Sequence, residues 1–586
     1  MTVTGSRWRG LAPLAISVAI YTLIAVLGWW SAWTSDPSRF AVPGGGDPGV
    51  SMWFLTWAPY TLLHPHNPLF SNFGNYPFGV NMVANTATLP LGYLLAPVTL
   101  LAGPVVSFNV LGTLSPILAA CAGLAFVRRF TSWYPAAFGA GLLYGFSPYV
   151  VAQASGHLNL EFVALLPLIL LVLHDLIVRQ QGRPVPQGLL LGVLVVVQFF
   201  ISSELLLDTG ILAVAGVILI GVLDRGAIRS HMRYAVRGLS ATAIVVVGAL
   251  AYPVWFLFAG PGHVIGPIQA SPQEYRADLL APILPDSFQH FAPSVFTRIS
   301  NRFSVHTIEN GSYLGLPLVA FLIVTVCVLR RTRVVLVAGL LGLCAFVLSL
   351  GSYLEVGNHD YTNIVLPETV IAKLPLLSNL IPARFSLFVT LFSAVVLAVA
   401  LERLHETRLW GESRLASVVA PLIIGTGLLG PLLPAWPFAV QATTLPYFTS
   451  AAAQAIPLDS VVLVYPFPDE FYSNPQVWQA SSFLRFKMPG GRFIVPEPGT
   501  RAAGTSRSSL TDSVLRKVAL GDPPKQSPVL RAEVDKELRA WHVRTIVAAP
   551  AGANPAVAFD YLRWLLRQAP QESDGMMVWY NWHASH

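Results

Sequence analysis

Long apolar runs separated by short basic loops dominate the first three-quarters of the chain. A hydrocarbon core of about 30 Å takes about 20 helical residues at 1.5 Å each. Runs of that order recur at 11–30, 105–127, 136–152, 160–178, 188–203, 207–223, 239–259, 313–329, 334–350, 385–401 and 415–433, which predicts about eleven spanning helices. The first run follows Arg7 and Arg9 in the manner of a signal peptide. It is long, lacks a small-x-small cleavage site and precedes further spans, so it is expected to persist as a first helix. Thr86 to Ala102 is broken by Pro90 and Pro97 and followed by Gly103 and Pro104. It reads as an interfacial or re-entrant helix. Beyond about Gln441 the pattern changes to strand-like VVLVYPF and VRTIVAA and helix-like AVAFDYLRWLLRQA, joined by Pro- and Gly-rich connections. The expected fold class is an α-helical polytopic membrane protein, residues 1–440, with a C-terminal α/β domain at 441–586.

Composition agrees with that pattern. Of 586 residues 54% are hydrophobic and only 11% charged, too few to cover a soluble surface. The net charge of +7 sits in loops between spans as an orientation signal, so nucleic acid is not an expected partner. Arg residues cluster at 128–129, 179–183, 225–237, 330–333 and 403–414. Placing these loops in the cytoplasm pairs the spans between them, puts the N-terminus inside and the C-terminal domain outside, and excludes 86–102 as a span. The outside then carries a first outer loop at 31–85, a turn near His157, and loops at 260–312 and 352–383. Cys121, Cys327 and Cys344 lie in apolar runs without CxxC spacing, so neither disulfides nor a structural zinc is implied.

Asp47, after three glycines and before Pro48, has two readings: a carboxylate on a constrained loop acting as general base, or a turn residue. Trp53, Trp57 and Tyr60 follow at helical spacing and suggest an amphipathic interfacial helix. His64 and His66 end it; they either line a polar pocket or terminate a helix, and two histidines at i, i+2 make a weak metal site. There is no GxxxxGK[ST] loop, HExxH helix or GxSxG elbow. No cofactor is indicated; a divalent metal is possible but not indicated.

A first helix, an outer loop with an early acid, interfacial segments, the membrane-dipping LPLGYLLAPVTLLAGP, a second span ending in paired Arg, and FGAGLLYGFSPYVVAQASGHLNLEF in the third together resemble the GT-C class of membrane glycosyltransferases. The likeness covers residues 1 to 240 well and the later helices loosely. It rests on order and pattern, not on a fixed string. It implies a GT-C-like fold and inverting transfer of a sugar from a polyprenyl-phosphate carrier to a glycan or glycolipid acceptor at the outer face of the membrane, with Asp47 as base. It also implies that His157, Asn159 and Glu161 approach that carboxylate, and that a basic side chain holds the donor phosphate. Arg384, after Pro382 at the mouth of a span, is the first choice and Arg276 the second. Interfacial snorkelling is the plain alternative for Arg384. Glu204 between Ser203 and Leu205 is costly against lipid and is expected in a polar pocket, as an acceptor contact; Glu309 lies in the third outer segment. Gly46-Asp47-Pro48 lacks the adjacent second acid of some families in the class, which speaks against a metal-assisted mechanism. The rival readings are a lipid-linked glycan transporter or flippase, and a non-catalytic envelope-assembly protein. Arg in preference to Lys, with abundant Ala, Gly, Val and Pro, suggests a high-GC bacterium, with an actinobacterial envelope as the expected setting.

Overall fold

The computed structural model describes residues 5–44, 46–223, 232–264, 272–374, 377–407, 413–469, 472–496, 503–504 and 508–582. The Arg225 and Arg229 part of the basic pattern lies outside them. In chain order the principal helices are α1 (Gly5–Gly28), α2 (Asp47–Leu63), α3 (Pro104–Val127), α4 (Tyr134–Gly145), α5 (Leu165–His174), α6 (Pro184–Ile201), α7 (Ser203–Leu223), α8 (Met232–Ala259), α9 (Leu316–Val328), α10 (Arg333–Ser349), α11 (Ser386–Glu406), α12 (Arg414–Leu429), α13 (Asn474–Ser481), α14 (Leu510–Ala519), α15 (Pro528–Ala540) and α16 (Pro555–Leu566). The C-terminal sheet holds β1 (Val461–Tyr465), β2 (Val543–Ala548), β3 (Gln571–Ser573) and β4 (Met576–Trp579).

The chain divides into two compact units. The first comprises Met1–Ser31, Leu111–Leu250 and Ala270–Phe438. Its centre is α11, apolar on every side and 89% buried over its apolar window, as a helix enclosed by others must be. Phe388, Leu391 and Leu397 of α11 are fully buried in one core with Tyr144 of α4 and Ala345 of α10. By contrast α6, α7, α8 and α12 bury only 22–28% of theirs. Their outward residues are apolar, among them Leu189, Val193, Val214, Ile218, Ile244, Val247 and Ile423. An apolar surface of that extent has only a bilayer to cover it, and the chain is a multi-pass membrane protein. Among the described residues seven helices are long and apolar enough to cross a membrane, and Ala12–Gly28, α9 and α10 are shorter apolar helices. The run at 136–152 is not continuous: α4 stops at Gly145, Ser147 is extended, and a short helix Pro148–Gln153 restarts with the Ser147 hydroxyl capping Val150 N–H. Pro148 sets that break, because the residue before a proline is steered away from the helical region.

The second unit comprises Ala32–Val110, Ala251–Gln269 and Ala439–His586. The division at 438/439 falls next to the boundary expected from sequence, but the first outer loop groups with the C-terminal residues. Phe40 and Ala41 pair antiparallel with Ala442 and Gln441. The sheet runs β3-β4-β2-β1, with β1 and β2 parallel, Leu463 opposite Ile546, and β4 antiparallel to β2. The expected strands and the expected last helix, α16, are thus formed. Leu515, Leu538, Ile546 and Leu562 build the core on that sheet. Two expectations change. The 86–102 run forms two short helices, Leu89–Leu94 and Ala96–Ala102, each with a proline in its first turn. And α2 is not amphipathic: from Ser51 to Tyr60 every residue is buried. Its tryptophans point into protein because they find partners there. Trp53 Nε1 donates to Gln479 Oε1 at 2.6 Å and Trp57 Nε1 to the Pro68 carbonyl at 3.0 Å.

Candidate functional site

Asp47 is the first residue of α2, where the helix dipole favours a negative charge. Arg492 holds it side-on: Nε donates to Oδ1 at 2.9 Å and Nη2 to Oδ2 at 3.2 Å. This fork geometry fixes the carboxylate plane as well as its charge. About a quarter of each side chain stays exposed, 24% of Asp47 and 27% of Arg492. Arg492 is presented by a glycine turn, with Gly490 at φ +76° and Gly491 at φ +124°, a region L side chains avoid. A Cβ on Gly490 would also lie 2.7 Å from the Pro468 carbonyl oxygen. The Arg492 N–H donates to Gln476 Oε1 at 3.0 Å, which ties the turn to α13. At Gly49 a Cβ would lie 2.8 Å from the Ser473 carbonyl oxygen, so the first turn of α2 approaches that backbone as only glycine allows. Beyond α2, His64 and His66 are exposed and stack on Tyr60, with ring centroids 4.2 and 5.6 Å away.

In the helical unit the sequence candidates converge on Arg384. Its Nη1 bonds Glu204 Oε2, its Nη2 donates to Glu309 Oε1 at 2.6 Å and its Nε to Glu309 Oε2 at 3.3 Å. The guanidinium is only 11% exposed. Glu204, in the first turn of α7, also accepts the Ile381 N–H at 2.8 Å. Glu309 Oε2 accepts from Gln153 Nε2 at 3.1 Å, and Gln153 Oε1 meets His157 Nδ1 at 2.6 Å. Burial pushes the Glu309 carboxyl up, but Arg384, with His157 and Gln153, outweighs it and holds it below the ordinary value. Asp208, one turn after Glu204, is fully buried, and neither of its oxygens has a hydrogen-bond partner among the described residues. Glu161 is buried as well, with Oε1 unpartnered there, and is not hydrogen-bonded to this cluster. Arg276 has other partners, its Nη2 3.1 Å from Glu355 and bonded to Asp360. Among the described residues no group of three or more His, Cys, Asp or Glu is arranged to hold a metal ion.

A model of the family described as a domain of unknown function, DUF6311, matches residues 11–410, well over half of the chain. The chain belongs to the DUF6311 family. No curated protein matches it by sequence. Among solved structures, the arabinofuranosyltransferase AftD from Mycobacteria is similar over all of this DUF6311 chain and 42% of its own length, with 14% identity and a TM-score of 0.54. The chain therefore spans less than half of that protein. The oligosaccharyltransferase of Archaeoglobus fulgidus covers 93% of this chain and 72% of its own, at 13% identity and a TM-score of 0.44. The fold of this DUF6311 member is the GT-C fold of membrane glycosyltransferases.

Sequence reasoning named both ends of the Arg384 cluster without foreseeing that they bind each other. It missed Arg492, Gln476, Gln153 and Asp208 of this DUF6311 chain. The one signal for Arg492 was its place in MPGGRF, where paired glycines present a cation. Asp208 carried the signal that singles out any charge inside an apolar run.

Proposed function

We propose that this chain is a GT-C glycosyltransferase that moves a sugar from a polyprenyl-phosphate carrier to a cell-envelope glycan or lipid acceptor, at the outer face of a bacterial cytoplasmic membrane. In this reading the N-terminus is cytoplasmic, and residues 441–586 form an extracytoplasmic domain on a membrane module of residues 1–440. The observation that carries it is Asp47: an oriented carboxylate on a helix start, clamped by one arginine, with part of its surface still reachable. The acceptor hydroxyl would attack the anomeric carbon and give its proton to Asp47, while the bond from that carbon to the phosphate oxygen breaks with inversion. A lipid phosphate leaves as an anion and needs no acid. Arg492 would be a positioning residue for Asp47. Arg384 and Arg276 are proposed to hold phosphate; each is met by two carboxylates, one of which the phosphate would have to replace. His64, His66, His157, Glu161, Glu204 and Glu309 are proposed acceptor or pocket groups. No step requires a metal ion.

The test is transfer of radiolabelled sugar from a panel of polyprenyl-phosphate donors by membranes carrying wild type or Asp47→Asn. Transfer by wild type alone supports the reading. Equal transfer by both removes Asp47 as base.

One observation favours the transporter reading. Asp208 is an ionisable residue inside the apolar α7, next to the Glu204–Arg384 pair, and such residues mark substrate or ion pathways in membrane helices. Loss of lipid-linked glycan translocation in Asp208→Asn vesicles, with no sugar transfer by wild type, would move the assignment to that class.

A further inference from the structure

In the helical unit, the loop that leads into α9 holds apolar side chains outward at the ends of two apolar helices. Its base is firmly tied. The Pro282 carbonyl accepts the N–H groups of Leu314 and Gly315, just before α9, at 2.9 Å each, and the Asn310 amide donates to Asp286 at 3.3 Å. Just past α12, the His290 N–H donates to the Leu433 carbonyl at 2.7 Å and the Ala435 N–H to the Phe288 carbonyl at 2.8 Å. The Ser300 hydroxyl donates to the Pro285 carbonyl at 3.0 Å, and Phe303 shares a buried core with Ala281 and Ala383. Between these anchors runs the short helix Ser294–Ser300. Phe291, Val295, Phe296 and Ile299 are nevertheless 37–62% exposed. Single exposed apolar residues need no explanation, but four large ones so close together on a fixed backbone form a patch. The same stretch is basic: Arg298 and Arg302 are exposed, neither forms an ion pair among the described residues, and no Asp or Glu occurs from Ser287 to Ile308.

We infer that residues 291–299 dock on the bilayer itself, in the headgroup region at that end of α9 and α12, with the apolar side chains toward the acyl chains and Arg298 and Arg302 reaching lipid phosphates. The bilayer is the occupant because of where the loop is tied. Arg414–Leu432, which includes α12, is long and apolar enough to span, and α9 is apolar throughout. Leu433, just past the one, and Leu316, at the start of the other, are exposed as well, so the lipid-facing surface of the helices continues into the patch. An apolar stretch of low charge with basic side chains beside it is the composition of an interfacial segment. Arginine suits the boundary, since its stem lies along apolar surface while its guanidinium bonds phosphate. The anchor does not depend on sugar transfer, so it stands or falls separately from the proposed activity.

The experiment measures depth in phosphatidylcholine nanodiscs holding the full chain. Cys121, Cys327 and Cys344 are replaced by alanine, and an environment-sensitive fluorophore is attached at Val295→Cys or Arg298→Cys, both exposed positions. At position 295 a nitroxide high on the lipid acyl chain should quench at least about twofold more than aqueous iodide, as a side chain about 5–10 Å deep requires. At position 298 a nitroxide on the lipid headgroup should quench most. A second measurement needs no substitution: phosphatidylcholine with a photoactivated diazirine high on its acyl chain should label the peptide containing residues 291–298 of the wild-type chain. Quenching of the 295 label by iodide alone would place the segment in water. Quenching by neither agent would mean that protein, a second copy or another part of the chain, covers it. Each of these outcomes, a 298 label indifferent to the headgroup nitroxide, or an unlabelled 291–298 peptide would overturn the assignment.

Discussion

The two units each contain an acid–arginine centre, and the centres differ in access. Asp47 and Arg492 form a side-on pair with about a quarter of each side chain exposed. Arg384 serves two carboxylates, Glu204 and Glu309, in largely buried surroundings, with Asp208, whose carboxylate has no hydrogen-bond partner among the described residues, a turn from Glu204. A reachable pair can exchange part of its hydrogen bonding for a substrate hydroxyl at modest cost. A buried cation balancing two anions cannot be removed without leaving charge in a low-dielectric interior. The proposed function puts chemistry at the first centre, and burial gives the second the larger part in structural integrity. It also places the Arg384 phosphate role in competition with the fold itself.

The largest effect expected from breaking this contrast is catalytic. Asp47→Asn keeps the volume and one acceptor oxygen, so folding should persist while transfer falls roughly 100-fold to 10,000-fold, the usual weight of a general base. The radiolabel assay on membranes reads it, with protein yield as the folding control. A variant that folds and transfers normally would erase the distinction between the two centres.

Next in size is the stability of the helical unit. Arg384→Ala should cost about 3–5 kcal/mol, because it leaves Glu204 and Glu309 buried and uncompensated. Thermal unfolding in detergent checks it. Adding Glu204→Gln to that variant should recover part of the loss, since one stranded charge is removed. If Arg384→Ala unfolds at the wild-type temperature but loses transfer, the buried centre is functional in the sense first given to Arg384.

A third, smaller effect separates the units by pH. Asp286, in the loop after α8, is pushed up to about 7 by burial, against hydrogen bonds from the Phe288 N–H and the Asn310 amide. Its folded pKa lies above the unfolded value near 3.9, so the unfolded chain gives up its proton first as pH rises. The stability contributed by the protonated group is therefore complete below about pH 4 and lost as pH climbs through 7. Between pH 5 and 8 the loss is about 2–3 kcal/mol. The unfolding temperature should fall over that range in wild type and stay flatter in Asp286→Asn. An identical slope in both would place the pH sensitivity elsewhere.

How much of this was legible in sequence follows from the range of the interactions. Apolar runs report burial in lipid or protein residue by residue, so the helices and the strands at 461–465 and 543–548 could be read directly. Proline breaks are also local, and Pro90 and Pro97 announced the split of 86–102. The fate of Trp53 was not local. Its indole bonds Gln479, 426 positions away, and no periodicity in α2 distinguishes that partner from a lipid headgroup. The same holds for Asp47, whose Arg492 lies 445 positions downstream, and for Arg384, whose acids come from two separate segments. Sequence named Asp47, Glu204, Glu309 and Arg384 because charge is scarce in an apolar chain. It could not say which charges neutralise one another, since that depends on tertiary contacts.

The smallest expected effect is also the one that tests the comparison most directly. Arg492→Ala removes a partly exposed pair, so its cost to stability should be about 1 kcal/mol or less, well under that of Arg384→Ala. If Arg492 acts by orienting Asp47, the variant should lose transfer by about tenfold in kcat with little change in KM for the donor, because substrate binding does not use the guanidinium. Arg492→Lys, which keeps the charge but not the side-on fork, should recover only part of that loss. A rise in donor KM with kcat preserved would instead mean that Arg492 contacts the donor phosphate itself. Loss of folding in Arg492→Ala would make the two centres alike and remove the physical ground for locating the chemistry at Asp47.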